Sequence, residues 1–123
     1  MTDSEEISEL LDIWNRAVLS GDTGNVLECY ADDAVLLPTL SCRARYNHEE
    51  IRDYFEHFLS GKPEVEVMEQ NIRIYGDLAV NSGLYHFLMR KEGTELSARF
   101  TFVYRKCDSC WLIVEHHSSL QPE

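Results

Sequence analysis

The sequence predicts a single α+β domain, residues 1–123, in which three N-terminal helices pack on a strongly curved antiparallel sheet. The first observation is a change of period: apolar residues recur every three to four positions up to Gly61 and every second position after Pro63. The second is the shortness of the turns between the strand-like segments, because such turns join antiparallel neighbours. A long twisted sheet curls around the helices that cover it and leaves a pocket at its open end.

The first two helices are predicted in the N-terminal part of the chain. Ser4, followed by two glutamates, is a helix start, and Gly21 ends this helix. Asp22 can cap a second, shorter helix that ends at residues 31–33. Each helix has one apolar stripe, and the residues that we expect to be buried are Ile7, Leu10, Leu11, Trp14, Ala17 and Val18 in the first helix and Val26, Leu27 and Tyr30 in the second.

A short strand and a third helix follow. Residues 34–37, directly before Pro38, have the pattern of a buried strand. Asn47, with Glu50 three residues later, resembles a capping box and predicts a helix that ends at Gly61. The apolar stripe of this helix comprises Ile51, Tyr54, Phe55, Phe58 and Leu59.

Four long strands make up the rest of the chain, and two of them are apolar on both faces. The strands are predicted at about 64–75, 78–90, 95–106 and 111–119. Segments 99–104 and 111–114 carry apolar side chains at both alternating positions, whereas a sheet covered on one side shows polar residues at every second position. Because the helices cover one face, we expect a second subunit to cover the other, most simply in a two-fold dimer.

Composition and charge exclude several classes of function. The formal net charge of −11 disfavours binding to nucleic acid, which needs clustered Lys and Arg, and also disfavours an anionic membrane surface. We expect neither a secretory signal nor a membrane span, because the first residues are acidic and no apolar run is long enough. The expected compartment is the cytoplasm, where the four cysteines would be reduced.

Two cysteines and two histidines near the C-terminus invite the hypothesis of a metal site. Zinc needs four converging ligands, but along an extended strand His116 lies about 20 Å from Cys110, and His116 and His117 point to opposite faces. Cys107 and Cys110 close a predicted hairpin rather than a strand-to-helix turn, which disfavours a redox motif. We therefore expect two reduced thiols, no metal and no cofactor.

Several segments resemble a known family. Residues 98–105 and 111–119 are similar to the C-terminal strands of the calcium/calmodulin-dependent protein kinase II association domain and its free-standing bacterial relatives. Segments 20–22, 54–56 and 72–77 agree with that family in order and spacing. The resemblance implies the cone-shaped fold of the nuclear-transport-factor-2-like, or SnoaL-like, superfamily. It also implies a homodimer or higher oligomer through the outer sheet face and a pocket between sheet and helices.

The resemblance also orients the strands. Tyr85, Phe102 and Ser118 fall where the kinase domain has pocket-facing arginines, so an acidic-ligand pocket of that kind is not expected here. No kinase activity is implied, since a kinase domain does not fit in 123 residues. By alternation, the inward side also carries Asn81, Gly83, Phe87, Phe100 and His116. The residues expected on the outer, interface-forming face are Arg99, Thr101, Val103, Ile113, Glu115 and His117.

Two functions of different classes remain open from the sequence. The first is an oligomerising module whose aromatic pocket binds a small uncharged or apolar molecule, lined by Trp14, Tyr30, Asn81, Tyr85, Phe100, Phe102, His116 and Ser118. The second is an enzyme of the ketosteroid-isomerase or polyketide-cyclase type. The strand after residues 30–34 offers no catalytic acid, so His116 would be the base, with Tyr85 or Tyr30 as hydrogen-bond donor.

Arginines at a pocket mouth could hold a carboxylate. Three of them, Arg43, Arg45 and Arg73, are candidates by position. Because the chain has 22 acidic residues, we expect these side chains to form surface ion pairs instead.

Overall fold

The computed structural model describes residues 1–122 and has the predicted α+β architecture. Three helices lie on one face of a five-stranded sheet, and the aromatic core fills the space between them. The elements in chain order are α1 (Asp3–Ser20), α2 (Thr23–Leu27), β1 (Tyr30–Leu37), α3 (His48–Ser60), β2 (Pro63–Tyr75), β3 (Leu78–Met89), β4 (Thr94–Cys107) and β5 (Cys110–Leu120).

The sheet has the strand order β1-β5-β4-β3-β2. The four long strands form the predicted antiparallel meander, and β1 joins its end by pairing in parallel with β5. Parallel pairing is possible there because α3 and the whole meander separate the two strands along the chain, which leaves ample length for the crossover. Helix α1 packs on β2 and α3 on β1, so one face of the sheet is covered by helix.

The helix caps follow the sequence closely. Asp22 and Asn47 cap α2 and α3 through their side-chain oxygens, at 2.8 and 2.9 Å from the backbone nitrogens of Gly24 and Glu50. The start of α1 differs from the prediction, because the N-cap is Thr2 rather than Ser4. Thr2 forms a full capping box with the residue three positions later, which satisfies two free N–H groups instead of one.

The boundary between α2 and β1 also differs from the prediction. The helix ends at Leu27, and Tyr30 opens the strand, whereas the sequence pattern extended the helix to residues 31–33. Tyr30 pairs with Ile113 of β5, so tertiary pairing with a strand far along the chain overrides the local helical pattern.

The register shifts in three strand pairs of the described sheet, β1 with β5, β2 with β3 and β4 with β5, and the shift between β2 and β3 is a bulge in β2. In β2 the register shifts between Val67, which pairs with Tyr85, and Glu69, which pairs with Leu84; Gly83 of β3 is the next residue along and pairs with Gln70. A Cβ atom at Gly83 would lie 1.9 Å from the Glu69 carbonyl oxygen, so only glycine lets the two backbones approach this closely. The bulge increases the local twist and helps the long sheet to wrap around the helices.

The second bulge corrects one predicted orientation. Between β4 and β5, Val103 pairs with Glu115, but the next residue, Tyr104, pairs with Ile113. The extra residue in β5 reverses the alternation beyond it, so Ile113 points into the core and is 1% exposed. The prediction that Ile113 lies on the outer face was therefore wrong, because strict alternation does not anticipate a bulge.

Within residues 1–122, no helix combines the length and the apolarity that crossing a membrane requires.

Candidate functional site

The eight residues predicted to line a pocket lie together between the helices and the sheet. Each of them is at most 6% exposed. Helix α1 and strand β1 supply one residue each, and strands β3, β4 and β5 supply two residues each. In chain order, the eight residues are Trp14, Tyr30, Asn81, Tyr85, Phe100, Phe102, His116 and Ser118. We call them the buried cluster. That they bind a ligand remains a prediction.

Aromatic rings fill the centre of the buried cluster. The Trp14 indole stacks on Tyr85 at 6.0 Å between centroids and meets Phe102 edge-on at 5.4 Å. The imidazole of His116 stacks on Phe102 at 4.0 Å. The void left beside these rings has a volume of about 10 Å³, which is near the minimum for one water molecule. The buried cluster is therefore packed as core.

A chain of hydrogen bonds crosses the buried cluster and begins at Trp14. The indole Nε1–H of Trp14 donates to the hydroxyl of Tyr30 at 3.1 Å. The Tyr30 hydroxyl lies 2.8 Å from Nδ1 of His116. Both contacts are buried, so each is protected from competition with water.

The chain continues on the other side of the imidazole. Nε2 of His116 lies 3.2 Å from the hydroxyl of Tyr85, which donates to Ser118 Oγ at 2.6 Å. Ser118 Oγ is hydrogen bonded to Thr39 Oγ1. We call this chain the relay; in order, it comprises Trp14, Tyr30, His116, Tyr85, Ser118 and Thr39.

The surroundings of His116 keep its imidazole neutral. Burial away from water is the main cause that lowers its pKa to about 3, and the neighbouring His117 lowers it further. Burial also raises the pKa of Tyr30 and Tyr85, so both hydroxyls stay protonated and can donate. With both ring nitrogens hydrogen bonded and such low basicity, His116 is not favoured as a general base. The enzyme hypothesis gains no support from this arrangement.

An open cavity of about 560 Å³ lies next to the buried cluster, at the mouth of the cone. Its walls come from the loop after β1, from α3 and from the turn between β3 and β4, and none of the eight predicted pocket residues lines it. We call it the mouth cavity. The residues around it are Thr39, Leu40, Ser41, Arg45, Asp53, Tyr54, His57, Phe58, Ser60, Gly61, Met89, Glu92, Thr94 and Leu96.

The mouth cavity is not predictable from the sequence, because the residues of its walls follow no helical or strand periodicity. The loop residues and the ends of α3, β3 and β4 come together only in the folded chain. One signal was available: Tyr54 and Phe58 are spaced four apart on a helix, and their rings stack at 5.6 Å beside the cavity. These two rings and Thr39 border both the mouth cavity and the small void behind it.

Arg45 differs from its predicted place at the surface. It is 8% exposed, and its Nη1 donates to Asp53 at 2.8 Å and to the Glu50 carbonyl oxygen at 3.0 Å. The hydrogen bond from Arg45 lowers the pKa of the Asp53 carboxyl, which therefore stays ionised and offsets the arginine charge. Arg43 and Arg73 are exposed, but within residues 1–122 neither forms the predicted ion pair; Arg73 donates to Ser82 Oγ at 3.1 Å instead.

The outer face carries the other predicted residues. Arg99, Glu115 and His117 are exposed there, while Thr101 and Val103 are partly buried by their neighbours on the sheet. Thr101 pairs with His117 across β4 and β5, which agrees with the predicted orientation of both strands.

The two cysteines of the last hairpin are free thiols. Cys107 and Cys110 pair directly across the two-residue turn and are exposed. The turn residues Asp108 and Ser109 both have positive φ, 54° and 65°, as a type I′ hairpin requires. In the described part of the chain, no group of three or more His, Cys, Asp or Glu side chains could hold a metal ion.

Solved structures with the same fold define the class of this domain. A nuclear-transport-factor-2-like protein of unknown function from Pseudomonas putida superimposes with a TM-score of 0.86, at 22% identity over 98% of this chain and 87% of that one. A superfamily member from Salmonella enterica gives 0.85 at 17% identity, over 98% and 92% of the two chains. At these identities the likeness shows the fold, which is nuclear-transport-factor-2-like.

A family model and a more similar solved structure show the family to which the chain belongs. The family model named calcium/calmodulin dependent protein kinase II association domain matches residues 3–122. A Xanthomonas campestris protein described by the same domain name is 42% identical and has a TM-score of 0.94, covering 100% of this chain and 91% of that one. The chain therefore belongs to the calcium/calmodulin-dependent protein kinase II association domain family. A search of curated proteins found no match.

Proposed function

We propose that this domain associates with itself through the outer face of its sheet. The observation that carries the proposal is a group of aliphatic side chains on that face that lie outside the core and are only partly covered within one chain. These side chains, which we call the outer-face patch, are Val80, Leu84, Leu88, Val103 and Leu112. An apolar sheet face of this kind is stabilised when a partner removes it from water.

The centre of the outer-face patch supports a two-fold arrangement. Val80 and Val103 are directly paired on β3 and β4, near the middle of the sheet. Charged and polar side chains, among them Arg99 and Glu115, surround this pair on the same face. An apolar centre with a polar rim is the usual anatomy of a protein interface. The domain name of the family, association domain, agrees with this proposal.

The charge-introducing variant Val103→Asp tests the proposal. We expect the wild-type protein to sediment as a dimer or higher oligomer at micromolar concentration. In Val103→Asp we expect the dissociation constant to increase at least tenfold, because two carboxylates would lose water at the interface. Sedimentation velocity over a concentration series measures this change.

The matched control for that experiment is Leu19→Asp. Leu19 lies on α1 and is 42% exposed, so a carboxylate there also replaces an aliphatic side chain but lies away from the sheet. We expect this variant to keep the wild-type distribution. A wild-type protein that sediments only as a monomer would refute the proposed self-association, and so would an unchanged oligomer in Val103→Asp.

We further propose that the mouth cavity binds a small molecule that is uncharged and has an apolar body. Its volume of about 560 Å³ lies in the range of small-molecule sites. Arg45 is offset by Asp53, and Glu92 adds a further negative charge at the rim, so the local charge does not attract an anion. Phe58, Met89 and Leu96 supply apolar wall.

Titration with 2-ethylnaphthalene, a neutral hydrocarbon, tests this second proposal. We expect saturable changes of backbone amide NMR signals around the mouth cavity. In Met89→Trp the indole would fill part of the cavity, and we expect at least tenfold weaker binding. The matched control is Met68→Trp, because Met68 lies outside the cavity and is 61% exposed. Absence of binding up to the solubility limit, or equal affinity in Met89→Trp and wild type, would contradict the proposal.

A further inference from the structure

We infer that the ligand of the mouth cavity is a neutral molecule that presents a carbonyl oxygen to the hydroxyl of Thr39. The inference rests on the ligand-binding function proposed above and adds the chemical class of the ligand. Its basis is the relay, whose hydrogen bonds all point in one direction and end at the cavity wall.

The groups that can only donate a hydrogen bond determine the direction of the hydrogen bonds in the first half of the relay. An indole N–H can only donate, so the Tyr30 oxygen accepts from Trp14. The hydrogen of the Tyr30 hydroxyl is then directed to Nδ1 of His116, its other partner. In a neutral imidazole, one nitrogen accepts and the other carries the hydrogen. Nε2 of His116 therefore donates to the oxygen of Tyr85.

The hydrogen bonds in the second half of the relay have the same donor-to-acceptor direction as those in the first half. Tyr85 accepts from His116 and donates to Ser118 Oγ. Either hydroxyl of the Ser118–Thr39 pair can donate in their hydrogen bond. We assign Ser118 as the donor because this continues the direction of the relay, and Thr39 Oγ1 is the only remaining partner of its hydroxyl in the part of the chain that the structure describes. The hydrogen of the Thr39 hydroxyl has no acceptor among residues 1–122.

The opposite direction of the hydrogen bond between Tyr30 and His116 would cost free energy. If Nδ1 of His116 donated to Tyr30, the Tyr30 hydroxyl would receive two donors and its own hydrogen would be buried without an acceptor. An unsatisfied buried polar group costs about 1 to 3 kcal/mol, and Tyr30 is 2% exposed, so water cannot relieve that cost.

Thr39 holds the free donor at the boundary between core and cavity. Thr39 is among the residues that line both the mouth cavity and the small void behind it, and it is 4% exposed. The carbonyl oxygen of Thr39 accepts from the Tyr54 hydroxyl at 2.9 Å, which fixes the backbone at this point. Successive hydrogen bonds polarise one another, so the last donor in a chain is strengthened.

The other groups around the mouth cavity select a neutral acceptor over a carboxylate. The Arg45 guanidinium forms an ion pair with Asp53 at 2.8 Å, and Glu92 lies at the rim with no ion-pair partner within residues 1–122. The stacked rings of Tyr54 and Phe58 can accommodate a flat apolar body. A ketone attached to an aromatic or fused-ring body meets these conditions.

The test compares three probes of similar shape: 2-acetylnaphthalene, the hydrocarbon 2-ethylnaphthalene and the anion 2-naphthoate. We expect the ketone to bind most tightly. In Thr39→Val, which keeps the shape but removes the donor, ketone affinity should fall about fivefold to tenfold while hydrocarbon affinity stays unchanged. With a ¹³C-labelled carbonyl, the bound ketone should show a downfield shift that is reduced in Thr39→Val.

Three further variants separate hydrogen bonding from structural damage. Thr39→Ser keeps the hydroxyl and should bind the ketone like wild type. Thr94→Val removes another cavity-lining hydroxyl that is not part of the relay, and should have no effect. Tyr85→Phe breaks the relay two residues before Thr39 without touching the cavity wall; we expect about a twofold to threefold loss and a smaller ¹³C shift, because Tyr85 acts as a positioning residue.

The outcomes distinguish this inference from the function on which it rests. If the hydrocarbon binds but Thr39→Val changes neither the ketone affinity nor the ¹³C shift, the inference is wrong and the cavity remains a binding site. If 2-naphthoate binds tenfold more tightly than the ketone, the assignment to neutral ligands is wrong. If none of the probes binds, the inference and the proposed ligand-binding function both fail.

Discussion

Replacement of Trp14 by alanine is expected to lower the free energy of unfolding by about 3 to 5 kcal/mol, the range for truncating a large buried aromatic side chain. Trp14 is 1% exposed and is one of the five buried residues of α1. Its ring contacts Tyr85, Phe102 and His116, so the cavity left by alanine would lie in the middle of the core. Urea unfolding at a fixed protein concentration measures the loss.

The variant Trp14→Phe separates packing from hydrogen bonding. Phenylalanine keeps an aromatic ring but cannot donate to the Tyr30 hydroxyl, so we expect a smaller loss than in Trp14→Ala. Replacement of Tyr46, which is 63% exposed, by alanine is the control for loss of an aromatic side chain at the surface and should cost less than about 0.5 kcal/mol. A loss below about 1 kcal/mol in Trp14→Ala would contradict the central role of this residue.

Stability is expected to fall by about 3 kcal/mol between pH 7 and pH 4 because of His116 alone. The pKa of His116 is lowered from 6.5 to about 3 in the folded state. Above pH 6.5 the imidazole is neutral in both states, and between pH 6.5 and pH 3 only the unfolded chain binds the proton. This stabilising contribution is therefore complete above pH 6.5 and is lost as the pH falls, by at most about 1.4 kcal/mol per unit.

The variant His116→Gln isolates this contribution from that of the carboxylates. Glutamine can contact both tyrosine hydroxyls but does not titrate, so the free energy of unfolding should depend less steeply on pH between 7 and 4 than in wild type. Asp53 also loses a stabilising interaction as the pH falls, but it does so in both proteins. Equal slopes in wild type and His116→Gln would refute a neutral buried imidazole.

Much of the fold could be predicted because its determinants are local. The caps at Asp22 and Asn47 depend on side chains two or three residues from the groups that they satisfy. The four long strands begin and end within one residue of their predicted bounds, since alternation and turn residues define them. The family resemblance placed Tyr85 and Phe102 on the inner side of the sheet, and alternation along the strands added His116 to that side; the structure buries all three.

The candidate site was only half predictable. The buried cluster follows from strand alternation, but the volume left inside it depends on how side chains of α1, α3 and the sheet interlock. The mouth cavity combines Thr39 of a loop, Tyr54 of a helix and Thr94 at the start of a strand, and no local pattern connects these three. The relay likewise joins residues up to 86 positions apart, such as Tyr30 and His116.

The sequence by itself determined which segments form helices and strands, which faces are apolar, and which family the chain resembles, because period, capping and turn chemistry act over a few residues. The tertiary structure alone decided where the helix after Asp22 gives way to β1, that a bulge turns Ile113 into the core, and that the open space lies at Thr39 and Tyr54 instead of beside His116. These features depend on pairing and packing between distant segments, and the free energies of such contacts are realised only when the whole chain is folded.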